Sequence, residues 1–169
     1  YTPINGLLEM REAARLKFKR DNNLDYGLDQ IAVGAGTKQI LFNCLMATES
    51  QGEEAIVPAP YRASYPDMVQ LAGGTPVIVD CVQNNHFKIR PEQLEEAITP
   101  NTKWLMFSSP SNPTGATYSK EEMKALAEIL LAHPHVWILT DDVYEHLIYD
   151  GREFFTFAEI EPALYDRTV

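Results

Sequence analysis

Short apolar runs that do not alternate with polar residues are the feature of this sequence that most restricts its fold. A strand that is buried on both faces has this composition, because neither of its faces meets water. The runs occur at Ala55–Val57, Pro76–Val79, Trp104–Phe107 and Val136–Leu139. We expect them to be strands of one sheet.

Helical patterns lie between these runs and cover Pro66–Ala72, Pro91–Ile98 and Ser119–Leu131. Their ends carry helix signals: glycine after the first, proline in the first turn of the second, and a capping box of Ser119 with Glu122 in the third. Strands that alternate with helices predict a largely parallel sheet with helices on both faces and right-handed crossovers. We therefore predict one α/β domain over residues 1–169.

The N-terminal part of the chain predicts a helix, a strand, a glycine turn and a second helix. The first helix should run from about Gly6 to Arg20 and the strand over Gln30–Val33, followed by the turn Gly34–Thr37. At the other end, Asp166–Val169 has the character of the beginning of a further strand. The apolar residues of the first helix, which recur at helical spacing, are Leu7, Met10, Ala14 and Phe18.

The charge balance restricts the partners of this chain. With 14 basic and 24 acidic side chains, its formal charge of -10 repels nucleic acid and anionic bilayers. No apolar stretch approaches the roughly 20 residues that span a bilayer. Cys44 and Cys81 lie in apolar surroundings without metal-binding spacing, which predicts buried thiols in a reducing compartment. We expect a soluble cytoplasmic protein.

Ligands collect at the carboxyl ends of parallel strands, so the residues after each predicted strand are the candidate site. The first candidate is the turn Gly34–Gln39, whose backbone amides at a helix start could hold a phosphate. It matches neither the Walker sequence nor the dinucleotide fingerprint. A plain strand-to-helix turn capped by Thr37 is the alternative, and the motif alone does not decide between them.

The second candidate is the loop Ser108–Gly115, which follows the predicted strand Trp104–Phe107. Asn-Pro and Thr-Gly pairs are common in ordinary turns. However, Pro110 and Pro113 bracket Asn112 and would hold its side-chain amide in a fixed direction. A loop of this kind presents one polar group to a ligand.

Two further candidates follow predicted strands. Asp141 and Tyr144 are three residues apart, so in a helical turn they would offer a carboxylate and a phenol to one ligand. Paired acids such as Asp141 and Asp142 are otherwise solvated or cap the next segment. The other candidate is the stiff aromatic segment Pro58–Tyr65, whose alternative interpretation is a well-packed loop.

In this order the motifs resemble class I aminotransferases of pyridoxal-phosphate fold type I, the aspartate aminotransferase group in particular. The resemblance covers essentially the whole chain, and its most specific element is the SNPTGA sequence within Ser109–Ala116. It is carried by Tyr1 with Asn5-Gly6, by Gly36–Gln39, by Pro58–Tyr61, by Ser109–Ala116, and by Asp141 with Tyr144.

The resemblance implies a role for each matching residue. Asp141 would pair with the pyridine nitrogen of pyridoxal phosphate and keep it protonated. Tyr144 and Asn112 would donate hydrogen bonds to the phenolic oxygen of the ring, and Asn112 would also reach the substrate carboxylate. The amides of Gly36, Thr37 and Lys38 would hold the phosphate. We expect these groups to converge at the carboxyl edge of one sheet.

The resemblance also bears on Tyr1 and Arg62, which are not among the residues just assigned to the cofactor. Tyr1 matches a tyrosine that crosses a dimer interface to the neighbouring subunit's phosphate, which implies a homodimer with shared active sites. Arg62 stands where close relatives carry a tryptophan stacked on the cofactor ring. Either Arg62 points away from the ring, or it binds a different substrate, or the sequence is altered at this position.

The resemblance also implies that this chain is a fragment of the large, cofactor-binding domain. The family's Schiff-base lysine, its substrate-binding arginine and the small domain would lie beyond Val169, and Lys38 occupies a phosphate-loop position instead. We therefore expect residues 1–169 to be inactive alone.

The function implied is transamination between an amino acid, aspartate or another dicarboxylate, and a 2-oxo acid. An aromatic transaminase or a lyase of the same fold type is the nearest alternative. A non-catalytic phosphate- or nucleotide-binding module and a structural fragment with an empty site are the alternatives from other classes. The combination of Asp141 with Asn112 favours the enzyme, because a nucleotide module needs no partner for a pyridinium.

Overall fold

A parallel sheet of four strands lies at the centre of the computed structural model, which describes every residue from Tyr1 to Val169. The strand order is β2-β1-β3-β4, and all three neighbouring pairs are parallel. Each strand contains most or all of one predicted apolar run, which confirms the sheet. The strands are β1 Glu54–Ala59, β2 Thr75–Asp80, β3 Thr102–Phe107 and β4 Trp137–Thr140.

Helices cover both faces of the sheet, as predicted. One face packs against α2 and α3 through a core that includes Leu45 and Val69, and the other packs against α4, α5 and α6 through a core that includes Leu94 and Leu130. Residues of β1, β3 and β4 alternate between these two cores. The edge strand β2 is not buried on both faces as predicted, because Val77 and Val79 pack against one core while Ile78 is exposed. The helices are α1 Leu8–Asn22, α2 Thr37–Thr48, α3 Ser64–Ala72, α4 Pro91–Ala97, α5 Lys120–Ala132 and α6 Phe157–Ile160.

The ends of α5 show how the sequence sets a helix in place. Ser119 accepts a hydrogen bond from the Glu122 amide (3.3 Å), while the Glu122 carboxylate accepts one from the Ser119 amide (2.7 Å). This is the predicted capping box. At the far end, the Arg167 guanidinium donates to the carbonyl oxygens of Leu130 (2.5 Å) and His133 (3.0 Å), which also accept the backbone amides of His133 and Val136.

Two predictions in the N-terminal part were wrong in detail. Gln30–Val33 is not a strand: Leu28–Gln30 forms a short 3₁₀ turn, and the Val33 amide donates to the Asn5 carbonyl oxygen (3.1 Å). A four-residue apolar run becomes a strand only beside another strand, and none lies next to this one. Helix α1 begins two residues later than predicted and ends two later, at Asn22; the next residue, Asn23, has a left-handed φ of 54°.

Burial also departs from prediction at several positions. Leu7 and Met10 are exposed, so the apolar side of α1 is not covered along its whole length. Cys81 is buried, whereas Cys44 is only half-buried. The predicted C-terminal strand is restricted to a parallel bridge between Thr168 and Ile138 of β4, because Pro162–Arg167 forms a 3₁₀ helix. No helix has the length and apolar character needed to cross a membrane.

The strand order determines where a ligand site can form. The chain passes from β1 to β2 on one side and then returns to place β3 on the other side of β1. A parallel sheet has a crevice at such a reversal, at the carboxyl ends of the strands. The segments that begin at Pro60, Ser108 and Asp141 follow β1, β3 and β4 and therefore share this edge.

Glu49, at the end of α2, generates a prediction about stability and pH. Its side chain is buried, neither carboxylate oxygen has a hydrogen-bond partner, and burial raises its pKa to about 7. A carboxyl whose pKa is higher in the folded state stabilises the fold below its unfolded pKa, and this contribution is lost as pH rises through about 7.

We expect Glu49→Gln to raise the unfolding temperature at pH 8, by an amount equivalent to about 1–2 kcal/mol, and to change it little at pH 5. Thermal unfolding at both pH values measures this. Glu92→Gln, at an exposed carboxylate, is the control. An equal effect of Glu49→Gln at both pH values would contradict the prediction.

Candidate active site

Asp141 is the buried centre of the candidate site. Its amide donates to the carbonyl oxygen of Phe107, the last residue of β3 (2.8 Å). Its own carbonyl oxygen accepts from the Ser108 hydroxyl (3.1 Å). The residue after β4 is thereby tied to the end of β3, and the Asp141 side chain is 3% exposed.

The two oxygens of the Asp141 carboxylate differ in their surroundings. Oδ2 accepts hydrogen bonds from the Tyr65 hydroxyl (2.6 Å) and from Nη1 of Arg62 (3.2 Å). Oδ1 is buried and has no hydrogen-bond partner. Burial, together with the bond to Asp141, raises the pKa of Tyr65, so that its hydroxyl stays a donor. The carboxylate therefore has one oxygen engaged and one open.

Asn112 and Tyr144 form the second part of the site. The Asn112 side-chain amide points to the Tyr144 hydroxyl at 3.4 Å, at the long end of the hydrogen-bond range. The Asn112 loop is closed by bonds from the Ser111 amide to the Ala116 carbonyl oxygen (2.9 Å) and from the Gly115 amide to the Ser111 carbonyl oxygen (2.8 Å). Two polar groups from different strand ends thus meet, as predicted.

Tyr144 lies in a turn rather than in the helical turn that its spacing from Asp141 suggested. The Leu147 amide donates to the Tyr144 carbonyl oxygen (2.8 Å), and no helix forms at these residues. Asp141 and Tyr144 consequently make no direct hydrogen bond. Tyr65, Ser108 and Asn112 line one small cleft; of these, Tyr65 bonds to Asp141 and Asn112 to Tyr144.

The turn that carries Tyr144 is braced by helix α1. Glu145 forms an ion pair with Lys17 and accepts a hydrogen bond from the Asn22 side-chain amide (3.1 Å). Lys17 also donates to the Asn22 side-chain oxygen (2.8 Å), which closes the network. These residues are far apart in the sequence, and no motif indicated that they would meet.

Asp142 differs from its neighbour in every contact. Its carboxylate accepts from the Thr140 hydroxyl (3.1 Å) and not from Arg62 or Tyr65. Burial raises the pKa of Asp142 to about 7. Of the two adjacent acids, only Asp141 has a cationic partner and an open oxygen.

The glycine turn before α2 is open to a ligand. Gly36 has a φ of 115°, which favours glycine, and no side chain caps the helix that begins at Thr37. The amides of Thr37 and Lys38 are in the first turn and have no backbone acceptor, as an anion site requires. Because α2 ends shortly before β1 begins at the amino edge, its first turn lies toward the carboxyl edge. The turn has no recorded bond to the Asp141 cluster.

Three outcomes differ from the sequence predictions or go beyond them. Arg62 does not point away from the site, since it bonds to Asp141. Tyr1 is fully exposed and is not brought to the site within one chain. Tyr65 was missed, although its position three residues after Arg62 at the start of a predicted helix was a signal that the two would lie on the same side.

At its carboxyl edge the sheet presents a carboxylate, a phenol, an amide and an open helix start, and parallel α/β sheets bind ligands at this edge. The sequence model of aminotransferase class I and II matches residues 1–167, and the chain belongs to that family.

Several similar proteins carry names that specify one kind of aminotransferase within this family. The chain is 57% identical over its full length to an aspartate/prephenate aminotransferase of Cereibacter sphaeroides, of which it covers 42%. It superposes on an aspartate aminotransferase of Rhizobium meliloti with a TM-score of 0.97 at 50% identity, covering 99% of this chain and 42% of that one. An aromatic aminotransferase of Pyrococcus horikoshii gives a TM-score of 0.94 at 35% identity, covering 99% of this chain and 44% of that one. The chain thus spans less than half the length of these relatives.

Removing the Tyr65 hydroxyl tests the buried bond to Asp141. We expect Tyr65→Phe to lower the free energy of unfolding by about 1.5–3 kcal/mol, because a buried bond to a charged group is lost. Denaturant unfolding provides the measurement. The control is Tyr61→Phe, which removes a nearby hydroxyl but leaves the contacts of Asp141 intact. Equal losses of unfolding free energy in both variants would contradict the prediction that the Tyr65–Asp141 bond stabilises the fold.

Proposed function

We propose that residues 1–169 are part of the cofactor-binding large domain of a pyridoxal-phosphate-dependent aminotransferase. Its reaction moves an amino group between an amino acid, aspartate or another dicarboxylate, and a 2-oxo acid. The observation that carries this proposal is the buried Oδ1 of Asp141, which has no partner while Oδ2 of the same carboxylate has two. A buried acceptor without a donor is costly unless a ligand supplies one.

The residues present fit the cofactor by their chemistry. Asp141 would accept the proton-bearing ring nitrogen at Oδ1, and Tyr144 with Asn112 would donate to the phenolic oxygen. The open amides of Thr37 and Lys38, together with Gly36, would hold the phosphate at the helix start. When bound, pyridoxal phosphate supplies an electron-accepting ring that stabilises charge at the substrate Cα.

The remaining roles belong to the same proposal. Asn112 would also hold the substrate carboxylate, and Arg62 lies where it could contact an anionic substrate. Tyr1, exposed in a single chain, would reach the phosphate of a second subunit in a homodimer with shared sites. We propose a cytoplasmic location and expect neither nucleic acid nor membrane as a partner, given the formal charge of -10.

The names of the relatives support a choice of substrates to test. Five relatives between 49% and 57% identical are named aspartate/prephenate aminotransferases, four of them as probable, so prephenate is a second acceptor to assay beside 2-oxoglutarate. The likeness to an aromatic aminotransferase keeps aromatic amino acids as alternative donors. A non-catalytic phosphate- or nucleotide-binding module is less well supported, because it offers no reason for an open buried carboxylate oxygen beside a cation.

Substitution of Asp141 tests its proposed role as the partner of the cofactor ring nitrogen. In the full-length protein we expect Asp141→Ala to reduce transamination by at least about 100-fold, since loss of the ionic partner costs the ring nitrogen several pKa units. Steady-state assays with aspartate and 2-oxoglutarate measure it, and circular dichroism checks the fold.

Asp142→Asn is the matched control, because Asp142 is adjacent but bonds to Thr140 instead. It should retain most of the activity. Near-normal turnover of Asp141→Ala with the cofactor bound would refute the assigned role.

Residues 1–169 alone should have no transaminase activity. The family's lysine must tether the cofactor and move a proton at the substrate Cα, and Lys38, in the first turn of α2, lies at the phosphate position instead. The purified segment is mixed with pyridoxal phosphate, reduced with borohydride and analysed by peptide mass spectrometry. A stoichiometric adduct on one lysine, with turnover of aspartate, would show that the lysine has been misassigned.

A further inference from the structure

We propose that Arg62 shares the Asp141 carboxylate with the cofactor and, through its positive charge, opposes protonation of the cofactor ring. This inference rests on the proposed function, because it assigns Oδ1 of Asp141 to the ring nitrogen. It goes beyond that function, because the family pattern carries an uncharged aromatic residue where this chain carries Arg62.

The geometry shows that Arg62 and a second cation can use the carboxylate together. Arg62 Nη1 lies 3.2 Å from Oδ2, and the Tyr65 hydroxyl bonds to the same oxygen at 2.6 Å. Oδ1 remains open and buried. If the proton-bearing ring nitrogen bonds to Oδ1, as the proposed function has it, Arg62 can keep its bond to Oδ2. Two positive groups would then lie on the two oxygens of one carboxylate.

The sign of the effect follows from comparing two consequences of removing Arg62. The orientation of the carboxylate would change little, because the short bond from Tyr65 and the backbone ties of Asp141 to β3 remain. The electrostatic change is larger, because a cation near a protonated ring repels it by about 1 kcal/mol or more at a partly buried position. Loss of the charge should therefore favour the protonated ring.

Other ionisable groups near Asp141 do not supply the same charge. The structure records Tyr65 and Asp142 beside it, with Tyr144 in the following turn, and none of these is a cation. Lys38 belongs to the first turn of α2, at the other part of the proposed site. Arg62 is the single cation bonded to Asp141, and its side chain is 29% exposed.

The test follows the ring nitrogen directly in the full-length protein loaded with ¹⁵N-labelled pyridoxal phosphate. The ¹⁵N chemical shift of the ring is recorded against pH for the wild type, Arg62→Gln and Arg62→Lys. We expect the ring of Arg62→Gln to stay protonated to a pH higher by about one unit. Arg62→Lys, which keeps the charge, should stay close to the wild type.

Arg15→Gln is the matched control, because the Arg15 side chain is 28% exposed and forms ion pairs with Glu12 and Asp25 and none with Asp141. It should leave the titration unchanged. An unchanged titration in Arg62→Gln would overturn the proposal, and so would an equal shift in Arg62→Lys, which would show that side-chain shape and not charge is responsible.

A second measurement separates this inference from the proposed function. Thermal unfolding with and without pyridoxal phosphate should show a larger stabilisation by the cofactor in Arg62→Gln than in the wild type, because the charge of Arg62 no longer repels the protonated ring. If the wild type binds no pyridoxal phosphate, the proposed function itself fails. If the wild type binds it and Arg62→Gln shows an equal or smaller stabilisation, only the inference about Arg62 fails.

Discussion

The parallel pairing of β3 with β4 is the constraint on which the rest of the site depends. Phe107 lies opposite Thr140 in the register, so the residues that follow both strands emerge side by side. The bond from the Asp141 amide to the Phe107 carbonyl oxygen continues this pairing by one residue. A slip of the register would move Asp141 away from Arg62 and Tyr65 and place its side chain on the other face of the sheet.

The core explains why the site can contain a buried charge. Both faces of the central strands are covered by apolar side chains, so the end of β4 is rigid and dry. A carboxylate at such a place needs compensation, and Arg62 and Tyr65 provide it for one oxygen only. The packing that stabilises the fold therefore also makes the open oxygen energetically costly in the absence of a ligand.

Prediction from the sequence succeeded where one local pattern decided the structure. The four strands, the capping box at Ser119 and the meeting of Asn112 with Tyr144 were all predicted, because each depends on composition, spacing or strand order. The burial of β2 on both faces was wrong, because β2 is an edge strand whose Ile78 is exposed. The strand at Gln30–Val33 was wrong, because a strand requires a neighbour that the local sequence does not show. The direction of Arg62 was undecided for a similar reason: a guanidinium can stack or pair, and its partner is distant in the chain.

The contact between α1 and the turn at Tyr144 has a consequence for the order of folding. Asn22 and Glu145 are 123 residues apart, so their bond closes nearly the whole chain into one loop. The entropy of such a closure is recovered only once the intervening sheet has formed. We therefore expect the phenol of Tyr144 to become fixed late, after the strands that precede Asp141 and Asn112 have paired.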